Sequence, residues 1–168
     1  ELKSNNTNLA ILCSHNFSVP FNQPIEYGQY VAKLANMLTG GPIMVQRLGD
    51  LLKGRRTTKE RLAKSTTIPT LKTAVPGDLS FVLPPRHLTT IIESLKAFDH
   101  LCPGLYSKNT LLYGVEVKFY SSKVKVDEKL MTKVDGLYTI GDGAGVTRGL
   151  MQASATGIYV AETISKKL

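Results

Sequence analysis

The sequence has only two cysteines, Cys13 and Cys102, and they lie far apart along the chain. Neither belongs to a CxxC pair and no His-rich spacing accompanies them, so the pattern argues against a metal site and against a disulfide framework. We expect two buried free thiols, because free cysteine is among the most buried residue types. A redox-active pair is the alternative that this spacing favours less.

A long apolar run is also missing. No stretch approaches the roughly 20 residues that span a bilayer, and no signal pattern opens the chain. This favours a cytoplasmic protein with no membrane partner. Hydrophobic residues still make up 42% of the 168 positions. That is enough for the core of one domain, or of a domain with an appended unit.

Acidic residues are the minority among the charged ones, and the net charge is +8. Most of the excess falls in residues 53–64, KGRRTTKERLAK, which we call the basic segment. It contains no aromatic side chain, although aromatic side chains commonly stack on bases in nucleic-acid interfaces. A solvated, partly helical basic face is therefore the first expectation. Contact with phosphate, a cofactor or RNA is the alternative.

Apolar periodicity predicts a mixed α/β (α+β) fold in the middle of the chain. Helical spacing covers Pro24 to Leu38 and Arg86 to Phe98, with proline or glycine near the ends. Runs of apolar and β-branched residues predict the strands. These strands are Asn8–Ser14, Leu79–Leu83, and Leu111–Tyr120 with a hairpin partner at Val124 and Val126, reached through Ser121-Ser122.

Three polar side chains in this region are candidates for a site, and for each one a structural role is the stronger expectation. His15 follows a predicted strand, where a histidine is more often a hydrogen-bonded loop residue than a site residue. Gln46 and Asp50 lie in and after a short apolar run, and we expect them to cap a turn or to be hydrated at the surface. No pattern identifies a general acid or base, so the catalytic residues stay unassigned.

The C-terminal stretch GLYTIGDGAGVTRGLMQASATGIYVA, residues 136–161, carries the most specific pattern. Leu137 to Ile140 predict a short strand, Gly141 to Gly145 a glycine turn, and the spacing from Leu150 to Leu168 a helix. Small residues let backbone approach a ligand closely, and a helix start favours an anionic or electron-rich group. Asp142, at the turn, would accept hydrogen bonds from a hydroxyl-bearing chain such as the ribityl group of a flavin.

This stretch resembles the C-terminal FAD-contacting segment of two-dinucleotide-binding-type flavoproteins. It is most similar to the NAD(FAD)-utilising dehydrogenases, which show GDGAG followed by TRG and a helix of small residues. The resemblance implies a FAD-dependent oxidoreductase, in which Asp142 contacts the ribityl or pyrophosphate side of FAD and the helix start faces the pyrimidine edge. NADH or NADPH would be an electron donor, and the substrate an unidentified small molecule. The residues implied in cofactor binding are Gly141, Asp142, Gly143, Ala144, Gly145, Arg148, Gly149, Leu150 and Met151.

The G-x-G-x-x-G turn that seats the ADP half of FAD is missing ahead of this stretch. We therefore expect a fragment, inactive alone, of a longer flavoprotein whose N-terminal half would be its partner in binding FAD. By the resemblance, residues 1–14 hold a strand of the FAD domain, residues 15–133 a substrate-domain-like region, and residues 134–168 the flavin-binding strand, turn and helix. The alternative is a non-enzymatic RNA- or phosphate-binding module that uses the basic segment.

Overall fold

The computed structural model describes residues 5–119 and 123–166. It has a mixed α/β fold with one small three-stranded sheet, so the coarse fold class predicted from periodicity is confirmed. The chain divides into two compact units, Glu1–Val117 and Lys118–Leu168, which we call unit 1 and unit 2. The division falls ahead of residue 134, where the flavin-binding part is expected to begin. The assignment of these parts to FAD and substrate binding stays a prediction.

Unit 1 is built on three short strands, β1 at Met44–Arg47, β2 at Val75–Pro76 and β3 at Leu111–Gly114. Strand β1 lies in the middle and pairs in parallel with β2 and antiparallel with β3. Its first three residues are buried, as expected for a central strand with both faces covered. This sheet therefore fixes the position of Gln46 and of the residues that follow β1.

Two long helices belong to unit 1, α1 at Pro24–Thr39 and α4 at Pro85–Asp99, and both confirm the helices predicted from apolar spacing. Each helix begins with a proline in its first turn, where a backbone N–H has no partner within the helix. Helix α1 ends at Gly40, whose φ of 72° lies in the left-handed region. The N–H groups of Gly40 and Gly41 both donate to the Asn36 carbonyl, which closes the C-terminus.

Shorter helical pieces connect these elements. Helix α2 spans Leu48–Leu51, and helix α3 spans Lys59–Ala63 with the Thr58 side chain as its N-cap. Because α3 lies in the basic segment, that segment is partly helical as predicted. The strand predicted over 79–83 is wrong, since Leu79–Phe81 form a 3-10 turn. The cause is the Asp78 carboxylate. Its Oδ1 accepts the backbone N–H of Ser80 at 3.0 Å, which stabilises a turn in place of an extended strand.

Two clusters of buried apolar side chains stabilise unit 1. The first joins α1 to the sheet and the 3-10 turn, and its buried members are Val31, Ala35, Met44, Leu79 and Val82. The second joins α2 to α4 through Leu48, Leu51 and Leu95. Most of the apolar stripe predicted for α4 is therefore core, since Leu88, Ile91 and Ile92 also pack against these clusters. Phe98, at the end of the stripe, is 43% exposed, so its predicted place in the core is wrong.

The strand predicted at Asn8–Ser14 is wrong. This stretch is an irregular segment that pairs with no strand in the described part of the chain. Leu9 and Leu12 are exposed, and Ile11 packs against the second apolar cluster. An apolar run becomes a strand only where another strand offers its backbone groups, and here side-chain packing holds the segment instead.

The strand predicted over Leu111–Tyr120 is shorter than expected, because β3 ends at Gly114. In the observed register Gly114 lies opposite Met44. Two residues further along, the same register would place Glu116 opposite Pro42, which has no N–H to donate to the ladder. The antiparallel ladder between β1 and β3 therefore ends at the pair Met44–Gly114.

The hairpin partner predicted at Val124 and Val126 is also not a strand, since the chain is irregular there. Its connection, Ser121-Ser122, lies outside the described residues. In place of a ladder, the N–H of Val124 donates to the Ala144 carbonyl at 3.1 Å.

Unit 2 contains helix α5 at Leu150–Ser165, which confirms the predicted C-terminal helix. The strand predicted at Leu137–Ile140 is wrong, because within the described residues Tyr138 forms only an isolated bridge with Met131. The partner stretch cannot remain extended, since Leu130 has a φ of 61°, in the left-handed region. The glycine turn therefore follows a short irregular approach instead of a strand end.

The three long helices α1, α4 and α5 have 16, 15 and 16 residues. Across the described ranges, none of the helices combines the length and apolarity needed to cross a membrane.

Candidate functional site

Unit 2 places the nine residues implied in FAD binding on one loop and on the first turn of α5. The loop runs from Gly141 to Gly149, and we call it the glycine loop. It opens with a 3-10 turn at Asp142–Ala144 and reverses at Gly145, whose φ of 69° is one that glycine adopts readily. These residues are neighbours in sequence, so they would lie close together in any fold. Their proximity is therefore no test of the cofactor role, which stays a prediction.

Asp142 holds the glycine loop together through one carboxylate oxygen. Its Oδ1 accepts from Oγ1 of Thr147 at 2.6 Å and from the N–H of Gly149 at 3.1 Å. The residue is exposed, and both of these hydrogen bonds are accepted by Oδ1. Asp142 therefore fixes the loop with one oxygen and presents the other to solvent, where it could accept from a hydroxyl.

The start of α5 is open toward solvent. Gly149 is the N-cap residue and has no side chain that could accept from the first N–H groups of the helix. Just before the helix, Oδ1 of Asp142 accepts the N–H of Gly149, and Oε1 of Gln152 accepts the N–H of Arg148 at 3.4 Å. The side chains of Leu150 and Met151 are 87% and 85% exposed. Their N–H groups begin the helix, so they have no acceptor within it and carry the positive end of its dipole. The N–H of Gly149 is already used by Asp142, which leaves two of the three backbone donors expected from the resemblance.

Small residues allow the glycine loop and the residue before it to pack closely against α5. The N–H of Gly141 donates to Oγ1 of Thr156 at 3.2 Å. A Cβ added at Gly141 would lie 3.7 Å from the Cβ of Ala153, and one at Gly157 would lie 3.8 Å from Cδ1 of Ile140. The small-residue pattern of this helix is thus explained by close packing of loop on helix. Arg148, at the end of the loop, is exposed.

Unit 1 contains a buried polar network around Gln46 and Asp50, which are 0% and 1% exposed. The expectation that these two are hydrated at the surface is wrong. Asp50 accepts from Nε of Arg55 and from Oγ1 of Thr57, both at 2.9 Å. Nε2 of Gln46 donates to the Arg55 carbonyl at 3.0 Å and to Oδ1 of Asp78 at 3.3 Å. These bonds join β1 to the basic segment, so the network is structural.

The basic segment is consequently less free than its sequence indicates. Arg55 pairs with Asp50, and Nη1 of Arg61 donates to the Arg56 carbonyl at 2.8 Å. A cleft of about 290 Å³ lies beside it, lined by residues 56–60 and by β2. Arg56 and Lys59 are exposed at this cleft.

A third cluster brings Cys13 and His15, from the irregular segment, to His87 in the first turn of α4. Sγ of Cys13 lies 3.9 Å from Nε2 of His15. The ring of His15 stacks on that of His87, with centroids 4.2 Å apart and planes inclined by 19°. One donor atom from each residue lies within 4.8 Å of the other two. The pKa of His87 is lowered, mainly because the ring is partly buried and to a smaller extent because His15 and Arg86 are nearby. Both effects favour the neutral imidazole.

This cluster was missed by sequence reasoning. His87 lies 72 residues after His15, so the spacing of the sequence does not indicate that the two meet. The one local signal is that Cys13 and His15, two residues apart, are both of residue types that bind metals. Both cysteines are unpaired in the described structure, as expected. Cys102 is exposed and Cys13 half-buried, so the expectation of two buried thiols is wrong.

No protein-family model matches the chain. The chain is similar to an "Uncharacterized protein" of Clostridium beijerinckii, with 30% identity over 149 residues. The match covers 85% of this chain and 27% of that relative, so the chain spans about a quarter of the length of the protein it matches. The relative's name assigns no activity, so function rests on the site itself.

Proposed function

We propose that the chain is part of a FAD-dependent oxidoreductase and supplies the loop and helix start that face the flavin. The observation that carries the proposal is the combination of the exposed Asp142 carboxylate with the start of α5, which its Oδ1 contacts through the N–H of Gly149 and where Leu150 and Met151 are exposed. The resemblance of residues 136–161 to the NAD(FAD)-utilising dehydrogenases supports FAD as the ligand. Bound FAD would accept hydride from NADH, NADPH or an organic donor and pass it to an acceptor.

The residues of this chain would bind and orient the cofactor. Oδ2 of Asp142 would accept from a ribityl hydroxyl, while Oδ1 keeps the loop in shape. The N–H groups of Leu150 and Met151 would stabilise negative charge at the pyrimidine edge of the ring. The positive charge of Arg148 would strengthen that field, and its alternative role is that of an ordinary surface residue at a helix start.

We also propose a cytoplasmic location. Cys13 and Cys102 are both unpaired in the described structure. Free thiols of this kind are typical of a reducing compartment.

Flavin occupancy of the purified full-length protein tests the main proposal, by its visible absorption and by bleaching with NADH and NADPH under anaerobic conditions. Asp142→Ala should weaken FAD binding by roughly 10- to 100-fold, the equivalent of one or two lost hydrogen bonds to the ligand and the loop. A protein that has no flavin absorption and takes up no added FAD would overturn the proposal.

Asp127→Ala is the matched control for this variant. Oδ1 of Asp127 accepts two backbone N–H groups, from Lys129 and Met131, both at 2.9 Å. The substitution therefore removes the same number of loop hydrogen bonds in unit 2 without touching the glycine loop. Equal losses of flavin in the Asp127 and Asp142 variants would show that Asp142 acts only on loop stability.

A second candidate function is phosphate or polynucleotide binding by the basic segment. The observation that favours it is the cleft beside β2, which exposed Arg56 and Lys59 line on one side. Glu60 also lines this cleft, which opposes the binding of an anion there.

A further inference from the structure

The cluster of Cys13, His15 and His87 lies in unit 1 and is independent of the proposed flavin site. The whole chain has three histidines and two cysteines. Three of these five side chains therefore meet at one place, with their donor atoms within 4.8 Å of one another. Such a concentration of a thiol and two imidazoles is the main requirement of a transition-metal site.

The donor set selects the kind of ion. Thiolate and imidazole are the usual ligands of Zn²⁺, whereas Mg²⁺ and Ca²⁺ take carboxylate and carbonyl oxygens. Among the described residues no carboxylate belongs to this cluster. The chemistry therefore favours a borderline-soft divalent ion over a hard one.

The separations are close to those that such an ion imposes. In a tetrahedral site with Zn–S of about 2.3 Å and Zn–N of about 2.05 Å, the donor atoms stand roughly 3.3–3.6 Å apart. The observed Sγ to Nε2 distance of 3.9 Å between Cys13 and His15 is already near this range. One donor atom of each of the three residues lies within 4.8 Å of the other two, so side-chain adjustments of about an ångström bring the three atoms to the spacing of one ion.

The supporting backbone is fixed on both sides of the cluster. The N–H of His87 donates to the Pro84 carbonyl at 2.9 Å, so this ligand stands on the closed first turn of α4. Ile11 packs against the apolar cluster that contains Leu95 of the same helix. This contact holds the irregular segment, with Cys13 and His15, beside α4.

We propose that Cys13, His15 and His87 bind one Zn²⁺ ion, with a fourth coordination position open to water or an external ligand. On binding, the Cys13 thiol loses its proton to solvent and the sulfur–zinc bond forms, while both imidazoles coordinate in their neutral form. The ion joins the irregular segment to α4. Because the unfolded chain offers no such arrangement, binding stabilises unit 1.

Metal titration of the purified chain tests the proposal. The chain is stripped with a chelator under reducing conditions and titrated with Zn²⁺ against a chromophoric competitor, with Co²⁺ as the spectroscopic substitute. We expect one equivalent of Zn²⁺, a thiolate-to-cobalt charge-transfer band, and no displacement by excess Mg²⁺ or Ca²⁺. Less than one equivalent, or a cobalt spectrum without the thiolate band, would overturn the proposal.

The chain offers matched controls for each ligand type. Cys13→Ser and His87→Gln should each weaken Zn²⁺ binding on the order of 100-fold or more, since even residues that only orient a ligand cost 10- to 100-fold. Cys102→Ser and His100→Gln change the remaining cysteine and histidine and should leave affinity unchanged. Undiminished binding in Cys13→Ser would contradict the assignment.

Cys13 and His87 are half-buried, so substitutions there could disturb folding as well as metal binding. A variant at the third ligand avoids this problem. His15 is exposed, so His15→Gln should leave the far-ultraviolet circular dichroism of the metal-free chain unchanged. Zn²⁺ should raise the thermal midpoint of the unmodified chain and have little effect on that of His15→Gln. Equal midpoint shifts in the two proteins would place the ion elsewhere.

Discussion

Nε of Arg55 donates to Oδ1 of Asp50 across 2.9 Å, although the arginine side chain is 44% exposed and the aspartate side chain 2%. The second oxygen of Asp50 accepts from the Thr57 hydroxyl, also at 2.9 Å. A buried carboxylate needs such partners, because an uncompensated charge is costly to remove from water. One carboxylate of α2 thus holds the first part of the basic segment, through Arg55 and Thr57, against α2.

Asp50→Ala should lower the free energy of unfolding by about 2–3 kcal/mol, because it removes the buried acceptor of the Thr57 hydroxyl and of Arg55. Arg55→Ala should cost less, about 1 kcal/mol, since the Arg55 charge is partly screened by solvent and Asp50 keeps the Thr57 hydroxyl and Arg47, whose Nη1 lies 3.8 Å from Oδ2. Arg56→Ala, in an exposed neighbour, is the control and should change stability little. Urea denaturation of the three variants measures the order, and equal losses would contradict the role of the network.

Gly49 of α2 approaches the backbone of Lys108 closely. A Cβ added at Gly49 would lie 2.8 Å from the Cβ and 2.9 Å from the carbonyl oxygen of Lys108. The N–H of Gly49 also donates to that carbonyl at 3.1 Å, so the two segments of the chain cannot move apart without losing this hydrogen bond. Gly49→Ala should therefore destabilise unit 1 by about 1–3 kcal/mol, the usual cost of overpacking.

The control for Gly49→Ala is Gly143→Ala. No described atom lies within 4 Å of a Cβ added at Gly143, and its φ is not in the left-handed region. Its effect on the free energy of unfolding should be under about 1 kcal/mol. Similar losses in the two variants, compared by urea denaturation, would mean that steric contact with Lys108 is not the cause.

Local signals decided which elements could be predicted from the sequence. Helices α1, α4 and α5 each carry an apolar stripe, and α1 and α4 also have a proline at the start, so the information lies within one segment. The strands depended on partners elsewhere. In the described part of the chain the apolar run at Asn8–Ser14 pairs with no strand, and β3 ends at Gly114, two residues before the position that would lie opposite Pro42.

The polar clusters depended on contacts between distant parts of the chain. Gln46 is buried because Asp78, on the other side of the basic segment, accepts its amide N–H. His87 reaches Cys13 and His15 only through the packing of the irregular segment near α4. The glycine loop differs, since its residues are sequence neighbours. Flavin binding by this loop stays a prediction that rests on the resemblance of residues 136–161.

Asp99 gives a prediction about pH. Its Oδ1 accepts the N–H groups of Tyr106 and Gly104, both at 2.8 Å, at the C-terminal end of α4. These two bonds, that from Tyr106 foremost, lower the pKa of Asp99 in the folded chain. The contribution to stability is therefore full above the unfolded-state pKa of about 4 and is lost as the pH falls through the folded-state value.

Asp99→Asn should accordingly be less stable than the unmodified chain near neutral pH, with the difference constant down to about pH 5. The difference should shrink at lower pH, as protonation of Asp99 weakens the same bonds in the unmodified chain. Thermal midpoints of both proteins between neutral and strongly acidic pH check this. A difference that does not depend on pH would show that the carboxylate charge is not responsible.

The double substitution Arg56→Gln with Lys59→Gln separates a solvated basic face from a nucleic-acid surface. Neither residue belongs to the buried network, so the fold should be unaffected and flavin occupancy of the full-length protein unchanged. We expect polynucleotide binding to be weak and nearly the same in the two proteins, measured by the fluorescence anisotropy of a single-stranded RNA at several salt concentrations. If these side chains instead contact phosphates, losing two contacts should reduce the slope of log affinity against log salt by about 1.4. That result would favour the basic segment over the glycine loop as the functional site, because the binding would weaken with the loss of two charges that do not belong to unit 2.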